Sequence, residues 1–187
     1  MARAGLTADR VTRAAADLAD EVGLEKITVA AVARSFGVAD ASLYAHVRSL
    51  AALRERVAAL SAGEFAALLS DAIAGRAGKD ALFAFGDAYR RFALAHPGRY
   101  AATQLPVPSE GATGIVAACA ALFRGYDLNQ AAAIDAARLL RSTFHGWAVF
   151  EASWGFRAER PIDDSWHAAL SALDAALRSW GRPAAGG

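Results

Sequence analysis

Between Ala39 and His46 the chain runs Ala-Asp-Ala-Ser-Leu-Tyr-Ala-His, and Leu43 is the only large aliphatic side chain in it. Hydroxyl, imidazole and carboxylate groups on a short helix beside small alanines suit contact with a nucleic-acid duplex. Alanines at 39 and 41 let a helix sink into a major groove ~12 Å wide. Ser42, Tyr44 and His46, with Thr28 further upstream, are side chains suited to phosphate oxygens. Asp40 can accept from a cytosine amino group, or it can cap a helix. The competing reading is a helical hairpin that serves only as packing.

Positioning this surface requires two helices and a tight turn, and the spacing supplies them. Val29, Val32 and Phe36 form one apolar side of a predicted helix over 28–36, with small Ala33 where two helices must approach. Gly37 follows four residues after Ala33, where positive φ or close clearance is needed. Val38 and Leu43 then turn a helix over 40–47 back onto the same core. A small residue, three spacers, a glycine, then apolar residues one and six positions on give helix-turn-helix spacing over about 28–47.

Other chemistry finds little support. No HExxH, Walker loop or GxGxxG occurs, and the Glu-x-x-His of di-iron bundles is absent. Asp164-Ser165-Trp166-His167 reads as a cap plus a first-turn residue. Cys119 lies in an apolar run and reads as buried filler. The histidines at 46, 96, 145 and 167 lack paired ligand spacing, so no metal and no cofactor are expected and an enzyme is not the reading.

The 187 residues carry 20 basic and 19 acidic groups, which excludes a polybasic arm or an acidic tail as the functional principle. Residues 1–48 hold six of each sign, so any duplex contact there relies on placed groups and avidity. Asp17, Asp20 and Glu21 cluster at the end of the first helix, where they can face away from DNA. A single cysteine excludes an internal disulfide and points to reducing cytoplasm. The longest apolar run, Gly114 to Phe123, is half of the ~20 residues a membrane span needs, so no membrane partner is expected. Arginine outnumbers lysine 18 to 2, a bias of GC-rich bacterial genomes.

About a quarter of the residues are alanine, the strongest helix former, and no strand-length alternation appears. The fold class is therefore all-α, with about nine helices. Predicted helices cover 8–22, 28–36, 40–47, 49–74, 80–95, 97–104, 109–123, 128–153 and 163–180, and Asp127 is the expected cap of the eighth. Residues 182–187 read as a frayed tail. Short helices give way to long ones near Arg48, which places a helix-turn-helix domain at 1–48 and a helical ligand-binding and dimerisation domain at 49–187.

The run AAADLADEVGLEKITVAAVARSFGV, the Leu43-Tyr44-x-His46 signature and a fourth helix just after it resemble the N-terminal domain of tetracycline-repressor-like (TetR/AcrR) regulators. The resemblance implies a reading head of the second and third helices, with Thr28, Tyr44 and His46 on phosphates. That family usually starts its fourth helix with a phosphate-binding lysine, where this chain has Leu50. Unless Arg48 takes over that contact, affinity is expected to be lower than usual. Val47 stands where Phe is common. The stretches Tyr89–Tyr100 and Ser142–Phe156, with His145-Gly146, resemble the C-terminal subclass marked by a His-Gly pair (WHG type).

In the C-terminal part, Phe65, Phe85, Tyr89, Gln104, Phe123, Phe144, His145 and Trp147 are candidates to line an effector pocket, or equally an ordinary core. Trp166, Leu170, Leu173 and Leu177 form a seam on the last helix, matched by Leu140 and close-packing Gly146 on the helix before it. These seams either pack on their own core or, as the sharper expectation, pair with a second copy in a four-helix interface. The resemblance then implies a homodimeric repressor that reads a palindromic operator and responds to a small molecule. The alternative is a helical small-molecule-binding or interaction protein with weak or lost DNA binding.

Overall fold

A computed structural model describes residues 5–180. Arg3, one of the six basic residues counted in 1–48, and the tail read as frayed lie outside the described residues. Contacts gather the chain into two compact units, 1–66 with 95–114 and 67–94 with 115–187. A division at Arg48 follows the helix lengths, whereas the contacts follow packing: the stretch 95–114 returns to the first helices.

The first unit begins with α1, Ala8–Val22. Thr7 caps it by accepting from the Arg10 amide (3.2 Å), and Gly23 ends it at φ +93°. A single 3₁₀ turn, Leu24–Lys26, leads to α2 (Val29–Ser35) and α3 (Asp40–Leu43). The helix α4, Leu50–Ile73, contributes its first turns to this unit. Ser49 caps α4 through its hydroxyl, which accepts from the Ala52 amide (3.1 Å). Val11, Ala15, Ile27, Val32, Leu43, Leu53 and Val57 are fully buried and form its core.

The short helix α6, Pro97–Thr103, closes that core. Its Ala102 is fully buried among the residues just named. Gly98 lies directly on α1: a Cβ there would stand 2.1 Å from the Ala19 carbonyl carbon and oxygen. Only glycine permits that approach.

The second unit holds most of α5 (Gly78–Ala95), the later part of α7 (Glu110–Phe123), α8 (Gln130–Ala152) and α9 (Ile162–Ser179). Among the described residues there are nine α-helices and no strand, as the alanine content predicts. Most helix ends fall within one or two residues of the sequence reading, and two differences have a clear physical cause. The helix α8 is capped by Asn129, which accepts from the Ala132 amide (2.9 Å), and not by Asp127. After Leu43 the third helix gives way to a turn, with the His46 amide on the Leu43 carbonyl (2.8 Å).

An aromatic cluster fills the second unit. Phe144 stands 5.3 Å from Tyr89 and 5.4 Å from Trp166, and Trp166 lies 5.2 Å from Trp147. The Trp166 indole N–H donates to Asp87 (2.7 Å). Arg90 forks onto both oxygens of Glu151 (2.7 and 2.5 Å) and reaches Asp163 (2.7 Å), which ties α5 to α8 and α9. The Glu151 hydrogen bonds outweigh burial and hold the guanidinium well above its ordinary pKa.

Candidate nucleic-acid interface

The α2–α3 turn is built by backbone bonds that the sequence forecasts. The Val38 amide donates to the Ala33 carbonyl (3.1 Å) and the Gly37 amide to the Arg34 carbonyl (3.0 Å). This is the Schellman pairing, which requires a left-handed residue between them. Gly37 supplies it at φ +65°. Val32, Ala33 and Leu43 are fully buried beneath the turn, and Val47 nearly so.

What remains outside is the predicted surface. Ala39, Asp40, Ala41 and Ser42 are exposed, and Tyr44 is 56% exposed although it is aromatic. A phenol held in water beside a buried leucine has hydrogen-bonding capacity to offer a partner. His46 is half-buried and Arg48 exposed. Thr28 caps α2 by accepting from the Ala31 amide (3.1 Å), so its hydroxyl proton is left to donate outward. Asp40 does not cap α3: the N-cap is Ala39, without a side-chain bond, and the Asp40 carboxylate lies in the exposed first turn. Leu50 is half-buried and packs against the core of the unit.

Two further residues, Arg99 and His96, belong to this unit, and their partners could not be read from the sequence. Arg99 of α6 bonds Asp20, Asp17 (2.5 Å) and Glu64 (3.1 Å), and its backbone amide also donates to Asp20 (2.8 Å). His96 Nδ1 stands 3.1 Å from the same Asp20 carboxylate. Burial works against the Arg99 charge, but the bonds to Asp17 and Asp20 prevail and raise its pKa. Two of the three acids at the end of α1 are thereby paired. The spacing of about eighty residues between the partners gave no local signal.

The candidate pocket residues divide. Phe65 and Gln104 fall in the first unit, where Phe65 packs edge-on against Tyr100 (6.3 Å) and Gln104 donates to Thr103 (2.8 Å). Phe85, Tyr89, Phe123 and Phe144 are buried in the second unit, and His145 and Trp147 are half-buried there. Two concavities occur in the second unit: one of about 460 Å³ is bordered by Arg76, Ala117, Ala121 and Arg124, and one of about 180 Å³ by Trp147, a candidate pocket residue, and the α8–α9 loop.

The seam expected to pair with a second copy is corrected by burial. Leu140, Trp166, Leu170 and Leu177 are at most 1% exposed within one chain and Leu173 is 8% exposed, so the protomer's own core takes them. Gly146 is different: a Cβ there would meet no atom of the same chain within 4 Å, which leaves its surface open to a second copy. Periodicity showed which face is apolar but not what covers it.

Residues 11–57 match the profile of bacterial regulatory proteins of the tetR family, and residues 82–173 that of the tetracyclin repressor-like C-terminal domain. An uncharacterized HTH-type transcriptional regulator of Bacillus subtilis, YobS, is 32% identical over 169 residues, which span 87% of this chain and 88% of that protein. The chain belongs to the TetR family of bacterial regulators. Its fold recurs in a Rhodococcus protein of unknown function (TM-score 0.75, 24% identity, 93% of this chain and 96% of that one). It also recurs in ActR of Streptomyces coelicolor bound to actinorhodin (TM-score 0.69, 21% identity, 93% and 97%). The α2–α3 surface of this TetR-family chain falls inside the first matched segment, and the aromatic cluster inside the second. Among the described residues no group of three His, Cys, Asp or Glu is placed to hold a metal. No described helix is long and apolar enough to cross a membrane. Burial pushes the Cys119 thiol up to about 11, away from nucleophilic use.

Proposed function

We propose that this protein is a homodimeric, ligand-responsive repressor of the cytoplasm that reads a palindromic operator. The observation that supports it is the solvent-facing Tyr44 on a rigid, glycine-hinged support, flanked by exposed Ala39, Asp40, Ala41 and Ser42. Thr28, Tyr44, His46 and Arg48 take phosphates, and Asp40 and Ala41 meet base edges.

A dimer supplies the avidity that a head without net charge lacks, because two half-sites lie one helical turn (~34 Å) apart. The outward face of α9 suits that role: Ala168, Ser171, Ala172 and Ala175 are exposed and small, and permit a close crossing. On α8, Ile134 and Val149 are each 48% exposed and add apolar area. A small molecule acts by binding one conformational state more tightly than the other, a coupling of about 1–3 kcal/mol.

The test is a gel-shift titration with DNA from upstream of the protein's own gene. Tyr44→Ala is expected to weaken binding to every sequence alike, and Ala41→Gly to change base preference. Full affinity in Tyr44→Ala removes the surface from the mechanism. Absence of wild-type binding at low salt favours a ligand-binding protein without a DNA role, a reading that half-buried Leu50 in place of a lysine supports.

A further inference from the structure

The loop after α8 and the first turn of α9 enclose the cleft of about 180 Å³, lined by Trp147, Phe156, Arg157, Arg160, Ile162 and Ser165. Trp147 and Phe156 are in contact, with ring centroids 4.8 Å apart, and form an aromatic wall. The indole N–H of Trp147 is buried and has no acceptor among the described residues. Buried donors are almost always paired, so an orphan calls for an explanation.

The charges point the same way. No carboxylate lines the cleft. The nearby acids Glu151 and Asp163 are both held by Arg90. Asp164 and Glu159 are exposed and are not among the lining residues. Arg157 and Arg160 are exposed, and neither makes an ion pair among the described residues. The N-cap of α9 is Pro161, which has no side-chain acceptor to offer the first amides. An 18-residue helix presents partial positive charge at that end, and its first-turn residues Ile162 and Ser165 line the cleft.

We propose that this cleft binds a small aromatic carboxylate, its ring against Trp147 and Phe156 and its carboxylate on Arg157, Arg160 and the α9 amides. The space suits a single ring, since drug-sized ligands occupy about 300–1,000 Å³. The site itself stands on the cleft alone; its regulatory meaning rests on the ligand-responsive reading above.

The full chain is titrated with sodium benzoate, with benzamide as the uncharged isostere and sodium acetate as the carboxylate without a ring, by calorimetry and thermal shift. Benzoate is expected to raise the melting temperature and to bind at least tenfold more tightly than either control. Arg157→Gln and Arg160→Gln each lower benzoate affinity about tenfold, as for a lost bond to a charged group. Trp147→Phe keeps the ring and lowers it several-fold. Both arginines are exposed and unpaired, so their variants keep the fold. Equal binding of the three compounds, no binding at millimolar benzoate, or wild-type affinity in both arginine variants overturns the proposal. Binding is read without DNA, so loss of this site and loss of the Tyr44 surface are separate results.

Discussion

One carboxylate, Asp20 on α1, receives both the backbone amide and the guanidinium of Arg99 on α6. The two side chains are 14% and 12% exposed, so the pair is largely withdrawn from water. Removing one partner leaves a buried charge. Asp20→Ala is expected to cost about 2–4 kcal/mol, moderated because Asp17 and Glu64 also hold Arg99. Urea unfolding of the two single variants and of Asp20→Ala with Arg99→Met measures it. Additive effects would show that the pair does not couple.

Leu50→Lys restores the cation usual in the family at the start of α4. It is expected to tighten operator binding several-fold and to steepen the plot of log affinity against log salt by about 0.9 per head. Fluorescence anisotropy at several salt concentrations reads both. An unchanged slope means that this position does not reach a phosphate.

The inward seam and the outward face of α9 should separate in experiment. Leu170→Ala opens a cavity in the protomer and is expected to cost about 2–5 kcal/mol while the folded fraction keeps its assembly state. Ala172→Glu places a charge on the exposed face and is expected to halve the mass seen in analytical ultracentrifugation, with little change in the unfolding of the chain. A dimer that persists in Ala172→Glu excludes this face.

Acid stability carries a further signature. Tyr126 donates to Asp174 (2.7 Å), and Arg178 bonds the other oxygen (2.9 Å). Burial pushes the Asp174 carboxyl up, but the bonds from Arg178 and Tyr126 prevail and hold it below its ordinary 3.8. A depressed carboxylate stabilises the fold above its unfolded pKa, and that contribution disappears as pH falls through the folded value. The stability gap between wild type and Asp174→Asn should stay constant from about pH 5 to 9 and close below about pH 4. A gap that persists at pH 2 contradicts the assignment.

Helix ends marked by their own residues were legible: Thr7 and Gly23 bracket α1, and Ala33, Gly37 and Leu43 placed the α2–α3 turn. Capping is local, so local spacing reveals it. Where two capping types compete, as at Asp127 and Asn129, only the backbone geometry decides. Partnerships over long separations were not legible. Nothing near Asp20 announces Arg99, and nothing in the Trp166–Leu177 seam says that Phe144 and Gly86 already lie against it. The exposed α3 surface was legible because polar residues in a small helical unit have only one outside to face.

The α6 segment that seals the first unit has a consequence for synthesis. The head stays unfinished on the ribosome until Ala102 and the neighbouring Leu105 and Val107, which pack against its core, have emerged. A fragment cut after the fourth helix begins would leave a bare apolar seat and an unneutralised Asp20. Transplanting this head onto another effector domain therefore means carrying residues 95–114 with it, as a second and separate insert.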